Sequence, residues 1–303
     1  MILQNNNIKG AINMKRNIFK KITAMAVVSI LTVGSYSGVF SSAANAATAL
    51  KGKIVITGST ALLPLSLQAA KEFKKLNPGV SIAAAGLSSV AGPEAVQKGS
   101  AQIGACDWNA TTNVPDFKAF SGLYANAVAV TPFTTIVNKN VTKTSLTTQQ
   151  LQGIFTGKYK NWNQVGGQNH AIVVINRAFG SGTRVNYQTK ALKGTKIVKS
   201  SSNYKEVSSS GLMFTAVSTT PYSIGYIDLV YVKAGVKAVS YNGVAPTTAN
   251  VINKKYPIWA YGYYMTKGKP TGVTKAFITY VQSAKFQQGS LKALKFIPLS
   301  SIK

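Results

Sequence analysis

The chain has 303 residues and sets 34 Lys and Arg against 6 Asp and Glu, a formal net charge of +28 at pH 7. One cysteine, Cys106, and one histidine, His170, exclude an intrachain disulfide and a Cys/His zinc cluster. A Ser-His-Asp hydrolase is disfavoured too: no Gly-x-Ser-x-Gly elbow occurs, and His170 lies in the polar turn 166–170, where a solvated loop residue is expected.

Taken in chain order, residues 1–46 read as a secretory signal. Lys15, Arg16, Lys20 and Lys21 form a basic region, 22–33 is an apolar core, and Ala44-Asn45-Ala46 offers a small-residue cleavage site. Met14 is an alternative start, which would leave 1–13 as an upstream extension. Gly34, Ser35 and Gly38 break the apolar run, so a membrane-spanning helix is not expected there. Five basic residues fall in this segment; the remainder, 47–303, carries 29 Lys and Arg against 6 Asp and Glu, a net charge of +23. Such a surface suits an anionic partner: nucleic acid, a membrane surface or the polyanionic wall polymers of a Gram-positive cell, of which nucleic acid is disfavoured for a secreted chain. The lysines are scattered and match no nucleic-acid-binding motif, so specific nucleic-acid binding is not expected.

From residue 47 onward, strands and helices alternate, which indicates an α/β protein. Strands are expected at 53–57, 80–84 and 103–105. Helices are expected at 64–76, with Pro64 in its first turn, and near 93–98. Cys106 sits in an apolar context and is expected to be a small buried residue. A long apolar run, 127–137, crosses onward. Thr147 is a good N-cap for a helix over 148–155, and 172–175 reads as a central strand. A helix is expected over 185–192, another over 212–217, a strand over 223–227, a return strand over 256–265, and closing helices over 273–294, broken or bent around Gly289. Two lobes joined by extended crossings place a ligand cleft between them.

The most informative run is Arg177-Ala178-Phe179-Gly180-Ser181-Gly182-Thr183-Arg184. A buried strand, a Gly/Ser loop between arginines and then a helix start can aim backbone N–H groups, hydroxyls and the Arg177 guanidinium at one tetrahedral anion. Hydroxyl loops recur after the first two strands, at Gly58-Ser59-Thr60 and Gly86-Leu87-Ser88-Ser89-Val90-Ala91-Gly92. Trp108, Trp162 and Phe179 are read as core or cleft-wall packing. Arg184 reads equally as support behind the site or as the solvated face of its helix.

These elements, taken with Ile103-Gly104-x-x-Asp107, Ile154-Phe155-x-Gly157-Lys158-x-x-Asn161-Trp162 and Ile224-Gly225-Tyr226, resemble the substrate-binding proteins of high-affinity phosphate ABC transporters. The resemblance spans nearly all of the chain after residue 46. It implies a type II periplasmic-binding-protein fold: two lobes, each a mostly parallel sheet flanked by helices, with the ligand cleft at the hinge. Lobe 1 is expected at 47–131 and 257–303, and lobe 2 at 132–256. The resemblance further implies a monomeric, non-enzymatic, cofactor-free receptor for inorganic phosphate that works with ABC permease subunits.

By the same resemblance, Thr60 with the backbone of Ala61, Ser89, Asp107, Arg177, Ser181, Gly182 and Thr183 contact phosphate. Asp107 is the odd member, since a carboxylate repels an anion. Phosphate at neutral pH still carries a proton that Asp107 can accept, whereas sulfate carries none and would face an unpaired carboxylate. Three features depart from the family pattern. No lipid-acceptor cysteine follows the signal, Ala178-Phe179 occupies a stretch that is often more polar, and Val90 stands where glycine is common. The second reading is a basic cell-surface wall-binding or adhesion protein that keeps the binding fold. A third, a receptor for sulfate or molybdate, is opposed by Asp107.

Overall fold

A computed structural model describes residues 49–199 and 203–302. The expected signal, 1–46, lies outside the described residues. The described chain opens with β1 (Gly52–Gly58), α1 (Leu63–Leu76), β2 (Val80–Gly86), α2 (Ala91–Gln97) and β3 (Ile103–Cys106). In α1, Pro64 stands in the first turn, where its missing N–H is no loss, and Leu65, Ala69 and Phe73 recur on one buried face. Phe73 meets Phe277 edge-on at 5.3 Å between ring centroids. Burying such a side chain contributes about 1.5–3 kcal/mol.

The 16-residue β4 (Leu123–Asn138) follows, then β5 (Ser145–Leu146), α3 (Thr148–Phe155) and β6 (Val173–Arg177). Thr147 caps α3 as expected: its hydroxyl accepts from Gln150 N–H while the Gln150 side chain reaches back to the Thr147 N–H. Next come α4 (Gly182–Lys190), β7 (Tyr204–Val207), α5 (Ser210–Thr219), β8 (Ser223–Asp228), β9 (Val236–Tyr241), α6 (Thr248–Ile252), β10 (Trp259–Lys267), α7 (Gly272–Gln282) and α8 (Ala284–Phe286).

The strands run in the order β2-β1-β3-β10-β4-β8-β6-β7, with β9 on β4 and β5 on β9. β1 is parallel to β2 and β3, and β6 is parallel to β7 and β8. β4 and β10 run antiparallel between these two groups, from Leu123 opposite Lys267 to Pro132 opposite Trp259. At Phe133, β4 changes partners: 133–137 pair with β8 and 135–138 with β9. One strand therefore serves both groups. A core with Ile54, Leu65, Ile103, Phe277 and Val281 backs the first group. A second, with Leu151, Phe155, Trp162, Tyr187 and Tyr226, backs the other, where Tyr187 and Tyr226 stack at 4.3 Å.

Four departures from the sequence reading matter. α4 starts at Gly182 rather than Val185, because Ser181 Oγ accepts from Arg184 N–H and starts the helix ahead of its first apolar residue. α2 likewise begins at Ala91, two residues before Pro93. The closing helix breaks at Ser283, which ends α7 and caps α8, and Gly289 lies in the wider helical turn after it. β7, β9 and α6 lie where no element was expected.

Candidate functional site

In both parallel groups the C-terminal strand ends face one another. Ser59, Thr60 and Ala61 follow β1, Ser88 and Ser89 follow β2, Asp107 follows β3, and residues 177–183 link β6 to α4. All eight expected site residues are buried. Their placement is the usual one for ligand sites in α/β sheets, outside the carboxyl ends of parallel strands.

Arg177 is 1% exposed. Its Nη2 donates to Thr60 Oγ1 at 3.2 Å and to the Ser208 carbonyl at 3.1 Å. Its Nη1 donates to Ser210 Oγ at 3.1 Å and to Thr183 Oγ1 at 3.5 Å. Its Nε, fully buried, has no partner. The ion pairs among the described residues are Arg184–Glu206 at 3.8 Å and Lys196–Asp116 at 2.8 Å, so this guanidinium makes no ion pair and its hydrogen bonds go to neutral oxygens. Burial pulls the Arg177 pKa down. A buried cation without an ion-pair partner costs several kcal/mol, which an anion arriving at the fork would offset.

Asp107 is equally buried. Its carboxylate accepts from Ser59 Oγ, and from Thr183 Oγ1 at 3.5 Å. Burial pushes its pKa up, against the lowering influence of the Ser59 bond, the Arg177 charge, Ser89 and Thr183. Loss of water thus disfavours its ionised form, while those four partners favour it. No group of three His, Cys, Asp or Glu suited to a metal occurs among the described residues.

The remaining expected residues divide by role. Ser59 Oγ accepts from Ala61 N–H at 3.1 Å and Leu62 N–H at 3.3 Å, and Ser88 Oγ accepts from Ala91 N–H at 3.2 Å. These neighbours do the local turn-forming, which releases the Thr60 and Ser89 hydroxyls for the site. Ser89 Oγ accepts from Asp107 N–H at 3.3 Å. The Ala61 N–H is already engaged by Ser59. Ser181 caps α4. Gly182 is there for clearance: a Cβ would lie 2.6 Å from Asp107 Cβ and 2.7 Å from its Oδ2, and closer still to Ser89 Oγ. Gly180, at φ +87°, accepts from Val90 N–H at 3.3 Å through its carbonyl.

Sequence reasoning missed several members. Ser210 donates its N–H to Thr60 Oγ1 at 3.1 Å, and Ser208 supplies the carbonyl beneath Arg177. Ser59 was read as part of a hydroxyl loop, not as the partner of Asp107. Asn186 Nδ2 donates to the Asp107 carbonyl at 2.8 Å, and Tyr226 Oη accepts from Arg177 N–H at 3.3 Å. Arg184 supports the site from behind, with Nη1 donating to the Arg177 carbonyl at 3.0 Å. Trp108 and Trp162 are buried as expected; Phe179 is not core, being 66% exposed. Cys106 is fully buried, and burial raises its thiol pKa well above the usual value.

Two groups of parallel strands joined by antiparallel crossings, with an oxyanion-type donor set where their ends meet, define a two-lobed solute receptor. The PBP superfamily domain model matches residues 43–285. The phosphate-binding protein PstS of Bacillus subtilis is 35% identical over 254 residues, covering 83% of this chain and 82% of that protein. Among solved structures, a phosphate ABC transporter substrate-binding protein from Clostridium perfringens with bound phosphate superposes with a TM-score of 0.75 at 30% identity, covering 82% of this chain and 100% of that one. A phosphate transport receptor of ABC type from Vibrio cholerae gives 0.65 at 26% identity, covering 80% and 99%. The chain belongs to the family of phosphate ABC transporter substrate-binding proteins.

Proposed function

We propose that this protein captures inorganic phosphate between its lobes and delivers it to an ABC permease. The observation that carries this reading is the buried Arg177, which has no ion-pair partner and faces Asp107, a carboxyl group, across Thr183. Phosphate brings both what the guanidinium lacks, negative oxygens, and what Asp107 accepts, a proton. Thr60, Ser89, Ser181 and Thr183, with the Gly182 backbone, complete the donor set; Ser210 joins them, and the Ala61 N–H does so on exchanging Ser59 Oγ for the ligand. Lobe 1 comprises 47–131 and 257–303 and lobe 2 comprises 132–256, hinged where β4 passes from β10 to β8. The receptor acts as a secreted monomer and performs no chemistry on its ligand. Family membership supports the permease partnership, and no helix among the described residues is long and apolar enough to cross a membrane. Denaturing protein purified from phosphate-containing medium should release one phosphate per chain, measured by molybdate colorimetry. Protein that holds none after exposure to phosphate would contradict the reading.

Retention on anionic wall polymers is a second role, favoured by the fate of five of the six acidic residues. Asp107 and Asp228 are buried, Asp116 and Glu206 are paired with cations, and Glu72 accepts from Tyr280, Ser290 and Gln68. The exposed lysines thus meet little opposing charge. Many weak contacts of this kind are screened by salt. Concentrated salt should wash the protein from intact cells; protein that stays bound would count against charge-based retention.

A further inference from the structure

We infer that the turn at residues 114–117 is a clasp that holds the lobes closed and sets how long the ligand stays bound, an inference that rests on the phosphate reading above. The turn is built to be rigid. Val114 and Phe117 exchange N–H to carbonyl bonds at 3.0 Å in both directions. Pro115 fixes φ at the first central position, and Asp116 takes φ +69° at the second, a conformation that Asp tolerates better than most residues.

Both tip side chains reach across to the other lobe. Asp116 Oδ1 accepts from Lys196 Nζ at 2.8 Å. The Phe117 ring lies 4.8 Å from that of Phe179, and its own neighbour on the near side is Trp108 at 5.3 Å, stacked at 24°. Trp108 follows Asp107 in sequence, so a ladder of three rings begins beside the site and ends at the exposed Phe179. The Val90 N–H bond to the Gly180 carbonyl adds a third crossing contact. Phe179, Gly180 and Lys196 all lie on the segments flanking α4, the helix that starts with Gly182 and Thr183.

Parting the lobes to release a ligand must break all three contacts, yet none involves the groups proposed to hold the anion. Contacts made only in the closed state favour closure whatever anion is bound, so they slow release and leave selectivity alone. The ion pair is exposed and screened, and the Val90 N–H bond to Gly180 is a single long one at 3.3 Å, which leaves the ring contact as the main element.

The test compares the parent protein with Phe179→Ala and Phe179→Tyr, by stopped-flow release of phosphate and by calorimetry with phosphate and sulfate. Phe179 is exposed, so its replacement leaves the core intact. Phe179→Ala should release phosphate about 3- to 10-fold faster, as expected for loss of one aromatic contact. Its preference for phosphate over sulfate should match the parent, and Phe179→Tyr should behave as the parent does. A release rate equal to the parent's overturns the clasp, as does a loss of anion preference in step with affinity. If the parent binds no phosphate, the functional reading fails, and small-angle scattering of anion-free protein then decides the clasp. A larger radius of gyration for Phe179→Ala supports it, and an equal radius overturns it.

Discussion

Arg177 and Asp107 carry opposite charges and are each 1% exposed, yet they make no direct pair; the Thr183 hydroxyl, 3.5 Å from both, connects them. Two buried, oppositely charged groups would ordinarily close into a bidentate pair. Here a neutral hydroxyl stands between them instead, and in the reading proposed above one tetrahedral anion takes up both, its negative oxygens toward the arginine and its proton toward the aspartate.

The first prediction concerns the arginine fork. Arg177→Lys keeps the charge but loses the planar fork that reaches Thr60, Thr183 and Ser210. Losing two charge-assisted bonds removes about 3 kcal/mol, or roughly 100-fold in affinity. Calorimetry of the variant against the parent measures this directly.

Asp107 sets the second. Burial raises its pKa, so falling pH converts it from a group that only accepts to one that can donate. Sulfate should therefore compete better with phosphate as the pH is lowered from about 8 to about 5. In Asp107→Asn, whose amide donates at every pH, sulfate should compete throughout and with little pH dependence. Competition titrations at the two ends of the range check both statements.

Gly182→Ala tests clearance. The added methyl meets Asp107 and Ser89, which must move for α4 to approach. Overpacking of this kind costs about 1–3 kcal/mol, so phosphate binding should weaken about tenfold. Unchanged far-ultraviolet circular dichroism would show that the loss is local.

A fourth prediction lies outside the donor set. Asp228 is fully buried; its Oδ1 accepts from Val230 N–H at 3.0 Å and its Oδ2 has no partner. Burial pushes its pKa well above the usual carboxylate range. A raised folded-state pKa means that its contribution to stability is full below the unfolded carboxylate pKa and is lost as pH rises through the folded value. The Tm of the parent should therefore fall relative to that of Asp228→Asn between about pH 4 and neutrality, by about 2–4 °C for each kcal/mol. Parallel Tm profiles would contradict this.

Much of this arrangement is legible in the sequence because its signals are local. Thr147 announces α3, Pro64 announces α1, and the run from Arg177 to Thr183 carries its strand end, cap and arginine together. What was missed depends on packing between distant segments. Ser208 and Ser210 belong to no motif that the sequence singles out, and only the approach of the α5 N-terminus to the turn after β1 brings Ser210 to Thr60 and Arg177. Whether Ser59 or Thr60 faces the site cannot be read from a Gly-Ser-Thr triplet, since both are hydroxyls one residue apart and the backbone turn decides between them. Phe179 reads as core or cleft wall by residue type; that it is exposed and packs on Phe117, 62 positions earlier in the chain, is decided by tertiary contact.

The most direct measurement is a calorimetric titration of anion-free protein with phosphate and then sulfate at neutral pH and physiological salt. Saturable one-to-one binding of phosphate at micromolar affinity or tighter, with no measurable heat from sulfate, is the predicted result. An absence of phosphate binding, or equal affinity for the two anions, would contradict the pairing of Arg177 and Asp107 around a protonated tetrahedral ligand.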